Sequence, residues 1–390
     1  MKYLFLLVPA IIALLGAGCA DFPTSYDRIE PDKPRLLDFI YEPAEAAPGD
    51  TVLLKAVFAG RKVTAEDLIW EASYNVSINE YGEQTQSDTV ALELTPVDCS
   101  FSDQTSCIAL RFVIPENIIE NSDAVPDNWT KRIPDYYRDA IPATYGSLSK
   151  HDILQQLDQA ATALSATPEA ADEDFLSSLP LLLQYFTAPM QLFCTIRGGH
   201  PIQSTYSVRY NARFASLPQS GSTIPVNRNP VVDSIRIYTV EENPLSSFNP
   251  ATCTSPFTFT TITGDTATIR VKRDCTYFFG VFTGNIDSTI SIDAALGNGT
   301  PLPEQHLLQW YREFDQRELD EVAPEDLLQI SGNQLFGNDE HLAQLFPSLD
   351  EAITGTTVWV QILDQFINEL FRPQGSTLKE LRLRFVYEDE

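Results

Sequence analysis

The spacing of apolar residues changes several times along this 390-residue chain, and each change marks an element. Tyr3 to Leu15 is an apolar run broken only by Pro9, and the charged, proline-rich stretch ADFPTSYDRIEPDKPR that follows Cys19 has no period. Short strands then follow closely: an apolar strand in LLDFIY, a turn centred on Pro48-Gly49-Asp50, the strand Thr51–Phe58, and a third strand ending at Trp70. Strand-length apolar runs separated by Gly, Pro and Asp are the signature of antiparallel β structure. SDTVALELTPVD and CIALRFVIP read as the arms of a hairpin, and QLFCTIRGG and STYSVRYNARF as two later strands.

Between Pro115 and Pro189 the period becomes helical. Ser149 to Asp152 has the form of a capping box, and Ile153, Leu154, Leu157, Ala160, Ala161 and Leu164 then share one helix face. A second helical piece runs from about Asp172 to Phe186, interrupted by Pro180. LPQSGSTIPVNRNP is a turn-rich boundary, after which NPVVDSIRIYTV begins a new strand. Gly264-Asp265 predicts a two-residue hairpin turn, followed by the strand Cys275–Thr283. PEQHLLQWYREFDQREL and PEDLLQI read as helices, and strands resume at TTVWVQIL and in the last segment, where Leu381, Leu383, Phe385 and Tyr387 share a face. Once the first 18 residues are set aside, about 370 remain, a length that suits two or three domains.

Two stretches resemble known families. Gly16-Ala17-Gly18-Cys19, after one basic residue and thirteen apolar ones, resembles the lipobox of bacterial lipoproteins, although Gly16 stands where that family has Leu. The run is too short for a transmembrane helix, which needs about 20 residues, and fits the apolar region of a secretory signal. The resemblance implies cleavage before Cys19, a lipid on its thiol, and a membrane-anchored protein of the bacterial cell envelope, most simply at the outer membrane. Ordinary signal cleavage nearby and an uncleaved anchor are the competing readings.

The spacing from PAEAAPGDTVLLKAVF to Trp70 resembles the start of bacterial Ig-like and PKD-type domains, where the indole fills the space between two sheets. NRNPVVDSIRIYTV resembles the linker and first strand of a second such domain. The fold class expected is therefore mainly β with α insertions: two Ig-like β-sandwich domains, each carrying a helical insertion. Residues 1–18 form the signal and 19–35 a tether. The first sandwich covers 36–216 with its insertion at about 116–188, a linker covers 217–230, and the second sandwich covers 231–390 with its insertion at about 301–353.

Charge narrows the partners. The formal net charge is −28, or −29 once residues 1–18 and their Lys2 are removed. That argues against nucleic acid, whose phosphates require Lys and Arg, and against electrostatic adsorption to anionic lipid. With 43% hydrophobic and 11% aromatic residues the chain has ample material for cores. Outside the cytoplasm its thiols oxidise. Cys99 and Cys107 flank a seven-residue hairpin end, and the Gly264-Asp265 hairpin puts Cys253 within one residue of facing Cys275. These are the two candidate disulfides. Cys194 is left over, in phase with Leu192 and Ile196, and reads as a buried inert thiol.

Chemical motifs are scarce. The four histidines lie in separate segments without metal-ligand spacing, and no CxxC, P-loop, nucleophile elbow, dinucleotide fingerprint or EF-hand loop occurs. The histidines read as surface or capping groups, Trp70, Trp310 and Trp359 as core, and no metal or other cofactor is expected. VPDNWTKRIPDYYRDAIPATYG is unusual: Trp129, Tyr136, Tyr137 and Tyr145 stand among prolines and charges. Such rings either pin the insertion to its sandwich or offer a face to a sugar or a protein. Three functional readings result: first a non-enzymatic envelope lipoprotein that binds or scaffolds an envelope protein, then a surface glycan-binding lipoprotein using those aromatics, and last an envelope hydrolase, which would require two Asp or Glu facing each other in a cleft.

Overall fold

The computed structural model describes residues 28–78, 84–133, 135–138, 141–166, 182–183, 186–210, 213–214, 226–241, 258–271, 275–284, 288–289, 302–303, 305–314, 329–336, 340–346, 354–365 and 375–387. The chain is mainly β. In the first half the strands are β1 (Arg28–Ile29), β2 (Pro34–Glu42), β3 (Thr51–Gly60), β4 (Leu68–Ile78), β5 (Gln84–Ala91), β6 (Thr95–Val97), β7 (Ser106–Val113), β8 (Thr187–Ile196) and β9 (Pro201–Arg209). The second half supplies β10 (Val231–Glu241), β11 (Thr258–Ile262), β12 (Thr266–Val271), β13 (Cys275–Gly284), β14 (Ser288–Thr289) and β15 (Leu302–Pro303). It continues with β16 (Gln305–Glu313), β17 (Gln329–Phe336), β18 (Glu340–Phe346), β19 (Gly355–Gln365) and β20 (Ser376–Tyr387).

Four sheets account for all of these except the small β14–β15 pair. Their orders are β5-β4-β8-β9, β2-β3-β7-β6, β1-β16-β19-β20-β12 and β11-β10-β13-β18-β17. The first two sheets share a core of Tyr41, Val52, Leu54, Ala72, Phe112, Met190, Leu192, Tyr206 and Val208, among others. The last two share another, centred on Ile237, Ile269, Phe279, Trp310, Val360 and Leu383. Each pair is thus two sheets closed over the alternate apolar residues of their facing strands.

The segment between β7 and β8 is helical where it is described. Its longest element is the helix Lys150–Ala166. The Ser149 hydroxyl donates to Asp152 Oδ2 at 2.6 Å and accepts from the Asp152 backbone amide at 3.2 Å, so the capping box forms as its sequence predicts. Ile153, Leu154, Leu157 and Ala160 are buried and extend the first core beyond the sheets, together with Ile118, Trp129 and Phe186. The predicted second helical piece lies mostly outside the described residues.

The Cys99–Cys107 hairpin also forms. β6 and β7 pair antiparallel through Thr95↔Arg111 and Val97↔Ala109, and the same register continued sets Cys99 opposite Cys107. The two form a disulfide with Cα atoms 5.4 Å apart.

Three expectations are corrected. First, the helical insertion predicted at about 301–353 is built from strands where it is described: β16, β17 and β18. Leu307, Leu308 and Tyr311 imitate a helix face in sequence. As a strand the segment points Leu308 and Trp310 into the second core and Tyr311 out of it into the seam, while Leu307 is exposed, so apolar residues stand on both faces and hide the period of two. Second, Gly264-Asp265 does not close a hairpin. β11 pairs with β10 in one sheet, whereas β12 pairs parallel with β20 in the other. The dipeptide bridges two layers, and Ala267, Ile269 and Val271 turn into the core between them. Without that hairpin the geometric case for Cys253–Cys275 lapses; Cys253 itself lies outside the described residues.

Third, the stretch 19–35 is not wholly a tether. Arg28 and Ile29 pair parallel with Arg312 and Glu313 of β16, and β2 begins at Pro34. Ile29 is fully buried and its carbonyl accepts from the Phe314 amide at 3.0 Å. β1, the first of the described strands, therefore belongs to the sheet of the second pair. The connection back to β2 passes Gly60, whose φ of +78° requires glycine. A Cβ there would stand 2.2 Å from the Lys33 carbonyl oxygen.

Candidate functional site

The two pairs of sheets meet along a seam formed by β2 and β3 on one side and β1, β16, β19 and β20 on the other. Its apolar part is Ile29, Leu37, Ile40, Val57, Ala59, Tyr311, Trp359 and Leu378. Alternation dictates which residues reach it. Ala56 and Phe58 point into the first pair while Val57 and Ala59 face the seam. Val358, Val360 and Ile362 likewise fill the second core while Trp359 and Gln361 face outward. The four sheets thus stack in one body, and the inner two are covered on both faces along the seam.

Polar groups cross the seam in two clusters. In the middle, the Gln361 amide donates to Asp38 Oδ1 at 2.7 Å, and the Tyr311 hydroxyl donates to the Gln361 carbonyl at 3.0 Å. Burial is the main cause that pushes the Asp38 carboxyl up to about 7, with its hydrogen bonds acting in the opposite direction. Glu380 accepts from the Trp359 indole N–H at 3.2 Å and from the Ser102 hydroxyl, which lies in the disulfide loop. The Ser376 hydroxyl donates to the Phe39 carbonyl at 3.2 Å, and Asn229 bridges the Tyr41 carbonyl and the Ser376 amide.

The second cluster lies where the linker crosses between the pairs. The Asn227 backbone amide donates to Glu45 Oε2 at 2.9 Å, and its side-chain amide donates to Asp364 Oδ2 at 3.0 Å. Asp364 Oδ1 is 3.5 Å from His306 Nε2, and His306 Nδ1 is 2.7 Å from the Thr283 hydroxyl. The His341 ring stacks on His306 with centroids 6.2 Å apart. A hydroxyl, an imidazole and a carboxylate in that order are the parts of a nucleophilic relay. Here Thr283, His306 and His341 are 2%, 4% and 1% exposed. None of the three presents a face to a substrate in this structure; His306 is hydrogen-bonded to Thr283 and stands beside Asp364 and His341 in a buried polar group. His306 and His341 are thus core residues, against the surface role their sequence context suggested, whereas His151 and His200 are exposed. Among the described residues no group of three His, Cys, Asp or Glu is arranged to hold a metal ion.

The other candidate residues are scattered. Trp129 is 1% exposed, donates its indole N–H to the Leu148 carbonyl at 3.1 Å, and packs against Phe186. Tyr145 is also buried. Neither ring offers a face to a sugar, which corrects their assignment as ligand-binding groups; they pin the helical segment to the first pair. Tyr136 and Tyr137 stand on the short helix Asp135–Arg138, and their side chains lie outside the described residues. Trp310 and Trp359 are buried, and Trp70 is half-buried with its ring edge-on to Phe39. Cys194 is fully buried, and burial pushes its thiol up to about 12. Cys19 lies outside the described residues. Among those described, no helix is long and apolar enough to cross a membrane.

The seam was not foreseen, yet it left a trace. Ala56–Ala59 and Val358–Val360 are unbroken buried runs where a sheet with one wet face would alternate.

No family model matches the chain, and no curated protein does. Among solved structures, dimeric latent PorU from Porphyromonas gingivalis aligns with a TM-score of 0.19 and 9% identity. The alignment covers 92% of this chain and 24% of that one. The Dpr2 Ig1–Ig2 complex with DIP-Theta Ig1–Ig3 aligns with a TM-score of 0.17 and 6% identity, covering 91% of this chain and 100% of that one. At such scores the likeness carries no argument, and the architecture rests on the sheets themselves.

Proposed function

We propose that this chain is a membrane-anchored lipoprotein of the bacterial cell envelope, most simply of the outer membrane, acting as a non-enzymatic binding or scaffolding module. The observation that carries the reading is Gly16-Ala17-Gly18-Cys19 at the end of an apolar run too short to span a bilayer. Cys19 bears the lipid, and two Ig-like sandwiches form the exported part, the first carrying the helical segment. The stacked sheets support a scaffolding role, because a buried seam holds the pairs in one orientation and so fixes the spacing of any surface they present. The partner is an envelope protein; the glycan reading loses Trp129 and Tyr145 to the core. Replacing Cys19 with Ala and fractionating the cells tests the anchor. The variant moves to the soluble fraction, and a variant that stays with the membrane as the unsubstituted protein does sinks the reading.

A further inference from the structure

The sheet β11-β10-β13-β18-β17 fills the second core with one face and turns the other away from it. Ile235 and Ile237 of β10 and Phe279 and Val281 of β13 point into the core. Alternation therefore sends Arg236, Tyr238, Phe278 and Phe282 to the opposite face. β11 adds Phe259 there, in register with Tyr238 and with ring centroids 6.0 Å apart. The outward face of an antiparallel sandwich is ordinarily polar. Here Tyr238 and Phe278 are buried as its floor, while Phe259 stands 56% exposed.

Arg236 lies in the middle of this aromatic face. Its direct register partners are the small residues Thr261 on β11 and Gly280 on β13, which leave its long side chain room. One ring reaches it from each flanking strand: the guanidinium carbon is 4.3 Å from the Phe282 centroid and 5.1 Å from that of Phe259. These cation–π contacts orient the guanidinium but occupy none of its five N–H donors. The Nε is buried and has no hydrogen-bond partner among the described residues, a costly state for a donor. A shortage of carboxylates is not the reason, because the chain holds 54 Asp and Glu against 26 Lys and Arg.

We propose that this face is a docking surface whose occupant is a partner protein that sets an Asp or Glu carboxylate, framed by apolar residues, against the Arg236 guanidinium. The proposal rests on the reading of the chain as a binding module and names the surface it uses. A carboxylate matches the planar guanidinium fork, and flanking rings that exclude water strengthen the pair. Arginine and aromatic side chains clustered in this way are the residue types that dominate interface energetics. The chain's overall negative charge opposes an acidic partner only at long range, where physiological salt screens beyond about 8 Å.

A random-peptide library displayed on phage and panned on the full-length protein in detergent supplies the probe. The retained peptides are expected to carry Asp or Glu beside aromatic or aliphatic residues. The Kd of one such synthetic peptide should rise about 30-fold with Arg236→Met, the size of an interface hot spot. Arg236→Lys, which keeps the charge and loses the fork, should weaken it as well. So should Phe259→Ala, whose exposed position keeps the test valid if an Arg236 variant fails to fold. Denaturation midpoints of the variants separate a lost contact from a lost fold. Retained peptides without acidic residues, or equal affinity for the unsubstituted protein, Arg236→Met and Phe259→Ala, overturn the proposal while leaving a binding module that uses another surface. A selection that retains nothing overturns the proposal and withdraws support from the module as well. Sedimentation equilibrium reads the remaining occupant: a dimer that Arg236→Met dissociates would make it a second copy of this chain and overturn the partner protein. The lipid anchor is read separately, from the mass of the mature N-terminal peptide.

Discussion

Gln361 of β19 donates its amide to Asp38 of β2 at 2.7 Å, joining two sheets that belong to different halves of the chain. The pair lies inside the seam, and Asp38 Oδ2 has no hydrogen-bond partner there. A carboxylate in that position is poorly compensated, so the folded protein holds its proton more tightly than the unfolded chain does.

Stability is therefore expected to fall with rising pH across the range set by Asp38. Its carboxyl goes from 3.8 in the unfolded chain to about 7 in the fold. Between those values the folded state binds more protons, so its contribution is complete below about pH 4 and is lost as pH rises through about 7. The whole difference corresponds to about 4 kcal/mol. Urea denaturation at pH 5 and pH 8 checks it. The unsubstituted protein loses stability at the higher pH, while Asp38→Asn shows a flatter dependence; the same slope in both would contradict this account of Asp38.

Ile29 tests whether β1 belongs to the sheet of the second pair. It is fully buried, and Ile29→Ala is expected to lower stability by about 2 kcal/mol, at the low end for a buried aliphatic side chain because it sits on an edge strand. A residue in a free tether would give no change in the denaturation midpoint.

Trp129 separates packing from sugar binding. Removing a buried indole and its hydrogen bond to Leu148 is expected to cost about 3–5 kcal/mol. Hydrogen exchange should then rise through the helix Lys150–Ala166, whose Ile153 and Leu157 share that core. A variant of unchanged stability that loses glycan retention would restore the binding role.

Thiol chemistry should sort the cysteines. Cys194 resists iodoacetamide at pH 8 in the native protein and reacts after denaturation, because burial holds its thiol up to about 12. Cys99→Ser is expected to remove about 2.5 kcal/mol, from loop-closure entropy over a separation of 8 residues. It should also loosen the seam, where Phe101 packs and Ser102 meets Glu380. Peptide mapping and denaturation measure the two effects.

What could be read from the sequence was local. The capping box at Ser149, the Cys99 hairpin and the face of Leu381, Leu383 and Phe385 each depend on neighbours a few residues apart, and each is present. What escaped depended on distant partners. Gln305–Glu313 hides its alternation because Leu308 and Trp310 meet the second core while the apolar Leu307 and Tyr311 stand on the other face, Tyr311 beside Ile29 and Val57. Gly264-Asp265 suits a hairpin as well as a bridge between layers, and only the pairing of β12 with β20 decides between them. His306, Thr283 and Asp364 come from three separate strands, so no spacing in the sequence announces their meeting.

The measurement that bears most directly on the anchored-module account is the mass of the N-terminal peptide of the mature protein recovered from the envelope. A peptide beginning at Cys19 and heavier by a lipid modification is the expected result. An unmodified Cys19, with the apolar run retained or cut at another bond, would contradict it.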